Sequence, residues 1–195
     1  MMDPREVPEE RAVRVALDTR GPLDIVVLGA PVLRRRAEEV GDVDDEVRRL
    51  VDLMFTTMYL AQGQGLAAPQ VDVSRRIAVV DVPGAGAPYA LINPQVVAAS
   101  DELVRGIEGC LSIPGVRDVV ERPAEVVVEA LDTRGDPFRV AAGGELARCL
   151  QHEIDHLDGI LYIDRLSPLA RRMLLNRFRN QQRLEGIGAP AGGIL

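Results

Sequence analysis

No lysine and no tryptophan occur in the 195 residues, and all 23 basic side chains are arginine. A functional rule against lysine everywhere is implausible, so a coding bias of the source accounts for this. Aromatic residues make up only 3%; otherwise the composition is ordinary for a soluble globular protein. No apolar run approaches the ~18 residues a membrane span needs. The start, Met1 to Glu10, is acidic and proline-containing, without the apolar core of a secretory signal. A cytoplasmic location is expected. There the two cysteines, Cys110 and Cys149, bind metal or pack more often than they form a disulfide. A net charge of −7 argues against a general nucleic-acid binder. Histidine is scarcest: the chain holds two, His152 and His156.

Both lie in Gln151-His152-Glu153-Ile154-Asp155-His156-Leu157-Asp158-Gly159. On a helix, His152 and His156 sit one turn apart on one face, the spacing two imidazoles need to grip one ion. Glu153 falls at the edge of that face, roughly 60° from His156 and 100° from His152. From there it addresses a water on the ion instead of the ion itself. This is the H-E-x-x-H arrangement of metallohydrolases. Leu146, Leu150, Ile154 and Leu157 make an apolar stripe away from the histidines. Gly143-Gly144 precede the predicted helix, and Gly159 fits its stop.

The length suggests one domain, able to bury about 70% of the surface its unfolded chain exposes. Residues 1 to 23 read as an extension outside the core, 24 to 185 as one catalytic domain, and 186 to 195 as a loose glycine-rich tail. Ile25 to Leu28 predicts a short strand leading into a turn at Gly29-Ala30-Pro31. From Asp44 to Ala61, Val47, Leu50, Val51, Met54 and Met58 trace a helical face. Gly63 to Gln70 is glycine-spaced but lacks the lysine of a phosphate loop. Close approach of a ligand and a plain helix-to-strand turn stand level there. Strands are predicted at Ile77 to Val82 and Tyr89 to Ile92, with a hairpin of Val126 to Leu131 and Phe138 to Ala141. Arg134-Gly135-Asp136 is turn chemistry in that hairpin. Ser167 and Pro168 open a helix running to about Leu184. It holds five arginines up to Glu185. That is a solvated face, with Leu169, Met173 and Leu174 packing inward, or else a docking surface for an anionic partner.

Two histidines hold a divalent ion poorly, and catalytic sites normally use three protein ligands plus water. Cys149 is one turn before His152, but lies roughly 7 Å along the axis from an ion set between the histidines. A cysteine reaches only about 5 Å from Cα to metal, with a metal–sulfur bond of ~2.3 Å. Cys149 is therefore a wall of the pocket. Cys110, in Glu108-Gly109-Cys110-Leu111-Ser112-Ile113-Pro114, is the remaining candidate.

Together, Gly63 to Gln70, Glu108 to Ser112 and Gln151 to Leu157 resemble the three ordered motifs of the peptide deformylases. The likeness runs from about Ile25 to Leu184, and the last helix is similar to that of the bacterial type carrying one. The resemblance implies an α+β fold. A central H-E-x-x-H helix is surrounded by small antiparallel or mixed β-sheets, with an N-terminal and a C-terminal helix. It implies removal of the formyl group from N-formylmethionyl nascent polypeptides; a monomer is expected. It implies metal ligation by Cys110, His152 and His156, typically of Fe2+, with Zn2+, Ni2+ or Co2+ as substitutes. Glu153 would be general base and acid, the Gln70 amide and Leu111 N–H would stabilise the oxyanion, and Gln64, Gly65 and Gly109 would align the peptide. Gln64, Glu145 and Arg148 depart from the usual apolar pattern; Glu145 and Arg148, three apart, are expected to pair across the pocket rim. Were the arginine helix a docking surface and not a solvated face, ribosomal RNA would be its partner, in a weak ribosome contact. A zinc endopeptidase is the alternative, but no histidine follows His156. A non-catalytic scaffold is the other, yet every expected site residue is present.

Overall fold

The computed structural model describes residues 21–184. The predicted tail, and the predicted extension up to residue 20, lie outside the described residues. Helix α1 (Asp45–Leu60) begins where the Asp44 carboxylate accepts from the Val47 N–H at 2.9 Å, filling one of the donors a helix start leaves open. Asp45 and Glu46 place further negative charge in its first turn. Val47, Val51, Met54, Phe55 and Met58 are buried on one stripe. Chain order continues β1 (Gly65–Ala67), β2 (Ile77–Val80), β3 (Tyr89–Ala99), β4 (Leu103–Cys110), β5 (Ile113–Pro123), β6 (Glu125–Leu131), β7 (Pro137–Gly143), α2 (Gly144–Leu157) and α3 (Pro168–Leu184).

Strands β1, β2, β3, β6 and β7 form one antiparallel sheet in that order, and β4 and β5 a separate hairpin. The sheet is covered on both faces. Ile77 and Val79 point to α1, while Ala78 and Val80 point to α2, so β2 reads as an unbroken apolar run. Under α2 lie Leu150, Ile154 and Leu157, with Leu146 partly buried beside them. This is the stripe expected from the spacing. A third cluster joins β5 to α3 through Val116, Val120, Leu174 and Phe178.

Four expectations are corrected. Ile25 to Leu28 is not a strand: Val26 N–H donates to Gln70 O and Leu28 N–H to Ser112 O, single bonds to irregular partners. The strand from Tyr89 runs on to Ala99, through register shifts that begin after Ile92. Leu169 and Met173 are each 57% exposed, and α3 buries Leu174 and Phe178 instead. The loop after α1 holds a three-residue strand, β1. Arg134-Gly135-Asp136 is a turn, with Asp132 Oδ1 accepting from the Arg134 and Asp136 N–H groups. Among the described residues no helix is long and apolar enough to cross a membrane.

Candidate metal centre

Strand β4 and helix α2 meet in three rungs. Alternate residues of β4 face inward, so Gly106, Glu108 and Cys110 share one side, at about 6.6–6.8 Å per two residues. Every fourth residue of α2 shares a face, at about 6.0 Å per step. The two repeats nearly coincide, and the contacts follow. Gly106 lies under the Arg148 guanidinium. The Glu108 carboxylate meets His152 Nδ1 at 2.9 Å. Cys110 Sγ lies 3.2 Å from His156 Nε2.

Donor atoms of Cys110, His152 and His156 lie within 4.8 Å of one another. The cleft beside them, about 510 Å³, is also lined by Gln64, Gly65, Gln70, Gly109, Leu111, Cys149 and Glu153. All nine residues singled out from sequence therefore meet at one place. Cys149 is a wall, its Sγ 3.5 Å from Gln64 O, and both cysteines are free thiols. Burial first, and the Glu153 charge second, push the Cys149 thiol well up, so it stays neutral.

Gln70 is buried and clamped. Its Oε1 accepts from the Ala67 N–H at 2.8 Å, leaving Nε2 to point at Ser112 Oγ, 3.3 Å, and Cys110 Sγ, 3.5 Å. Glu153 comes so close to β1 that a Cβ at Gly65 would run into its carboxylate and the Cys149 sulfur. Burial pushes the Glu153 carboxyl up to about 7, and its Oε2 is buried with no partner. A buried polar atom left unpaired in a cleft calls for a ligand or water.

The sequence reading gave Glu108 no role, and the structure gives it a central one. Oε1 accepts from Arg122 Nε at 2.6 Å and Arg148 Nη1 at 2.8 Å; Oε2 accepts from Arg122 Nη2 at 2.8 Å and faces His152. Burial opposes its charge, but the hydrogen bonds from Arg122 and His152 win and hold it well below the usual carboxylate range. Arg122, 1% exposed, also bonds Asp155, which in turn holds Arg165. Burial likewise opposes a charge on His152, yet Cys110 and Glu108 outweigh it and push its pKa up to about 10. The signal for Glu108 was available: a carboxylate two before Cys110 matches the four-residue step between the histidines. The expected Glu145–Arg148 pair does not form, because Arg148 turns inward to Glu108.

A thiolate and two imidazoles, one oriented by a carboxylate, suit a divalent ion with an open position for substrate or water. The unpartnered Glu153 oxygen beside them agrees with it. Fold and donor set define a metal-dependent hydrolase.

The family model described as Polypeptide deformylase matches residues 22–172. A peptide deformylase from Natranaerobius thermophilus is 50% identical over 141 residues, 72% of this chain and 90% of that one. Another from Rhizobium meliloti is 46% identical over 168 residues, 85% and 97% of the two chains. The crystal structure of the Ehrlichia chaffeensis peptide deformylase superposes with a TM-score of 0.81 at 42% identity, covering 85% of this chain and 99% of that one. The same protein in complex with actinonin gives 0.80 at 44%, covering 84% and 99%. The chain belongs to the polypeptide deformylase family. It is an enzyme, and its reaction is removal of the N-formyl group from nascent polypeptides.

Proposed function

We propose that Cys110, His152 and His156 hold one divalent ion, Fe2+ in the cell, and that Glu153 carries the protons of deformylation. The observation that carries this reading is the convergence of those three donors beside a buried carboxylate oxygen that has no partner. Zn2+, Ni2+ and Co2+ suit the same donors. When bound, the ion supplies Lewis acidity at the formyl oxygen and makes water acidic near neutral pH. Glu153 takes a proton from the attacking water and returns it to the departing amine; a carboxyl pushed toward neutrality suits both transfers. The Gln70 amide and the Leu111 N–H meet the charge that develops on the formyl oxygen. Each such donor is worth about 3–4 kcal/mol where measured at comparable sites. Gln64, Gly65 and Gly109 line the cleft and align the peptide as an added strand.

The substrate is an N-formylmethionyl nascent chain, met in the cytoplasm by a monomer. The arginines of α3 give it a weak contact with ribosomal RNA. The deciding experiment is formate release from a formyl-Met peptide by anaerobically purified protein, with metal content measured on the same sample. Turnover that scales with bound iron supports the reading; formate release unaffected by complete metal removal overturns it.

A further inference from the structure

Arg148 does not lie on the cleft surface as a free cation. Its side chain is buried, and its guanidinium bonds Glu108 Oε1 at 2.8 Å, Val120 O at 3.0 Å and Val104 O at 3.0 Å. It ties α2 to both strands of the β4–β5 hairpin, yet still lines the cleft. The guanidinium fits there because of Gly106. A Cβ at that position would fall 2.6 Å from both Cζ and Nε of Arg148, closer than real Cβ contacts come. Glu108 Oε1, which Arg148 holds, belongs to the carboxylate whose other oxygen faces His152.

We propose that Arg148 is a positioning residue that fixes Glu108, and through it the ring of His152, with Gly106 as the gap that admits its guanidinium. A carboxylate orients an imidazole only as well as it is itself held, and Arg122, which bonds both Glu108 oxygens, reaches it from the hairpin alone. Arg148 adds a second donor at Oε1, from the helix that carries the histidines. That bond fixes Glu108 relative to α2, and so relative to the His152 ring it faces.

This inference rests on the metal-centre reading, and its test separates the two. Full-length wild type, Arg148→Met, Arg148→Lys, Gly106→Ala and the double variant Gly106→Ala/Arg148→Met are loaded with Zn2+. Zinc affinity is measured by competition with a chelating dye. The His152 Nδ1–H resonance is followed by NMR, and kcat and KM are measured on a formyl-Met peptide. Arg148→Met keeps the stem, so it should weaken zinc binding about 10-fold or more, shift the His152 resonance and lower kcat with little change in KM. Arg148→Lys, which keeps a cation, should recover part of the affinity. Gly106→Ala should reproduce Arg148→Met, and the double variant should be no weaker than either single. Should Arg148→Met not fold, Gly106→Ala alone carries the test. Unchanged zinc affinity and His152 resonance in the folded variants would overturn the inference, as would losses that simply add in the double variant. Wild type that bound no zinc would instead sink the metal-centre reading itself.

Discussion

The tasks proposed for Glu153 and Cys110 are separable, and substitutions of similar size can pull them apart. Glu153→Gln keeps the volume, the burial and the contact with Gly65, and removes only the proton acceptor. General acid–base catalysis contributes typically ~10²–10⁴-fold, so kcat should fall by about that much while metal content stays at the wild-type level. Turnover within a fewfold of wild type would dismiss Glu153 from the role. Cys110→Ser exchanges a soft sulfur for an oxygen that ionises far less readily. In the cobalt-loaded protein the sulfur-to-metal absorption should vanish and retention should weaken by at least 10-fold. An unchanged spectrum would place the sulfur elsewhere. Glu108 shows why a reading by residue type stopped short. Carboxylates are common on strand faces, and nothing in the identity of this one distinguishes it. Its meaning comes from sharing a side of β4 with Cys110, which the two-residue spacing encodes only once β4 is known to be a strand.

The three helices were legible because their apolar residues keep the helical period: Val47, Val51 and Met54 in α1, Leu150, Ile154 and Leu157 in α2. Strands β4 and β5 were not. Their inward positions hold Gly106, Glu108 and Arg122, while Leu103 and Ile107 face solvent. A buried ion pair thus stands where alternation would require apolar side chains, and the period-two signal disappears. In α3 the apolar residues outnumber the inward positions, so sequence could not say that Phe178 is buried and Met173 is not. The turn between α2 and α3, Tyr162–Arg165, is held by charge. Asp164 Oδ2 accepts from the Leu161 N–H at 2.8 Å and from Arg34, and Oδ1 pairs with Arg171 at 3.0 Å. Burial alone would raise the Asp164 pKa, but Arg34, then the Leu161 N–H, lower it below the ordinary value. A depressed folded-state pKa means stability that is complete above the unfolded value, about 3.9, and lost as pH falls through the folded one. Asp164→Asn keeps an acceptor for Leu161 and removes the charge. It should lower stability in urea by about 1 kcal/mol or less at pH 7, since the pairs are half-exposed. The difference from wild type should close as the pH drops below about 4. A gap that persists at pH 2 would mean that packing, not charge, holds the turn.

At the scale of the molecule, the hairpin shares no ladder with the five-stranded sheet. It is held by the apolar cluster under α3 and by its rungs to α2, the last of which is Cys110 against His156. An ion ligated by Cys110 from the hairpin and by both histidines from α2 is therefore a clasp between two parts of the fold as well as a reagent. Ion binding adds stability as RT ln(1 + [M]/Kd), and here that free energy should be local. Amides of β2 lie in a sheet packed by α1 on one face and α2 on the other, and they should open only when the whole protein unfolds. Those of β4 and β5 can open when the clasp is released. Hydrogen exchange measured before and after chelation should show protection falling in Leu103–Cys110 and Ile113–Pro123, and staying unchanged in Ile77–Val80. Cys110→Ser, already lacking the clasp, should show little response to chelator. A uniform loss of protection across both sheets would mean that the ion stabilises the molecule as a single unit, and the picture of a hairpin fastened to the catalytic helix by its own metal would fail.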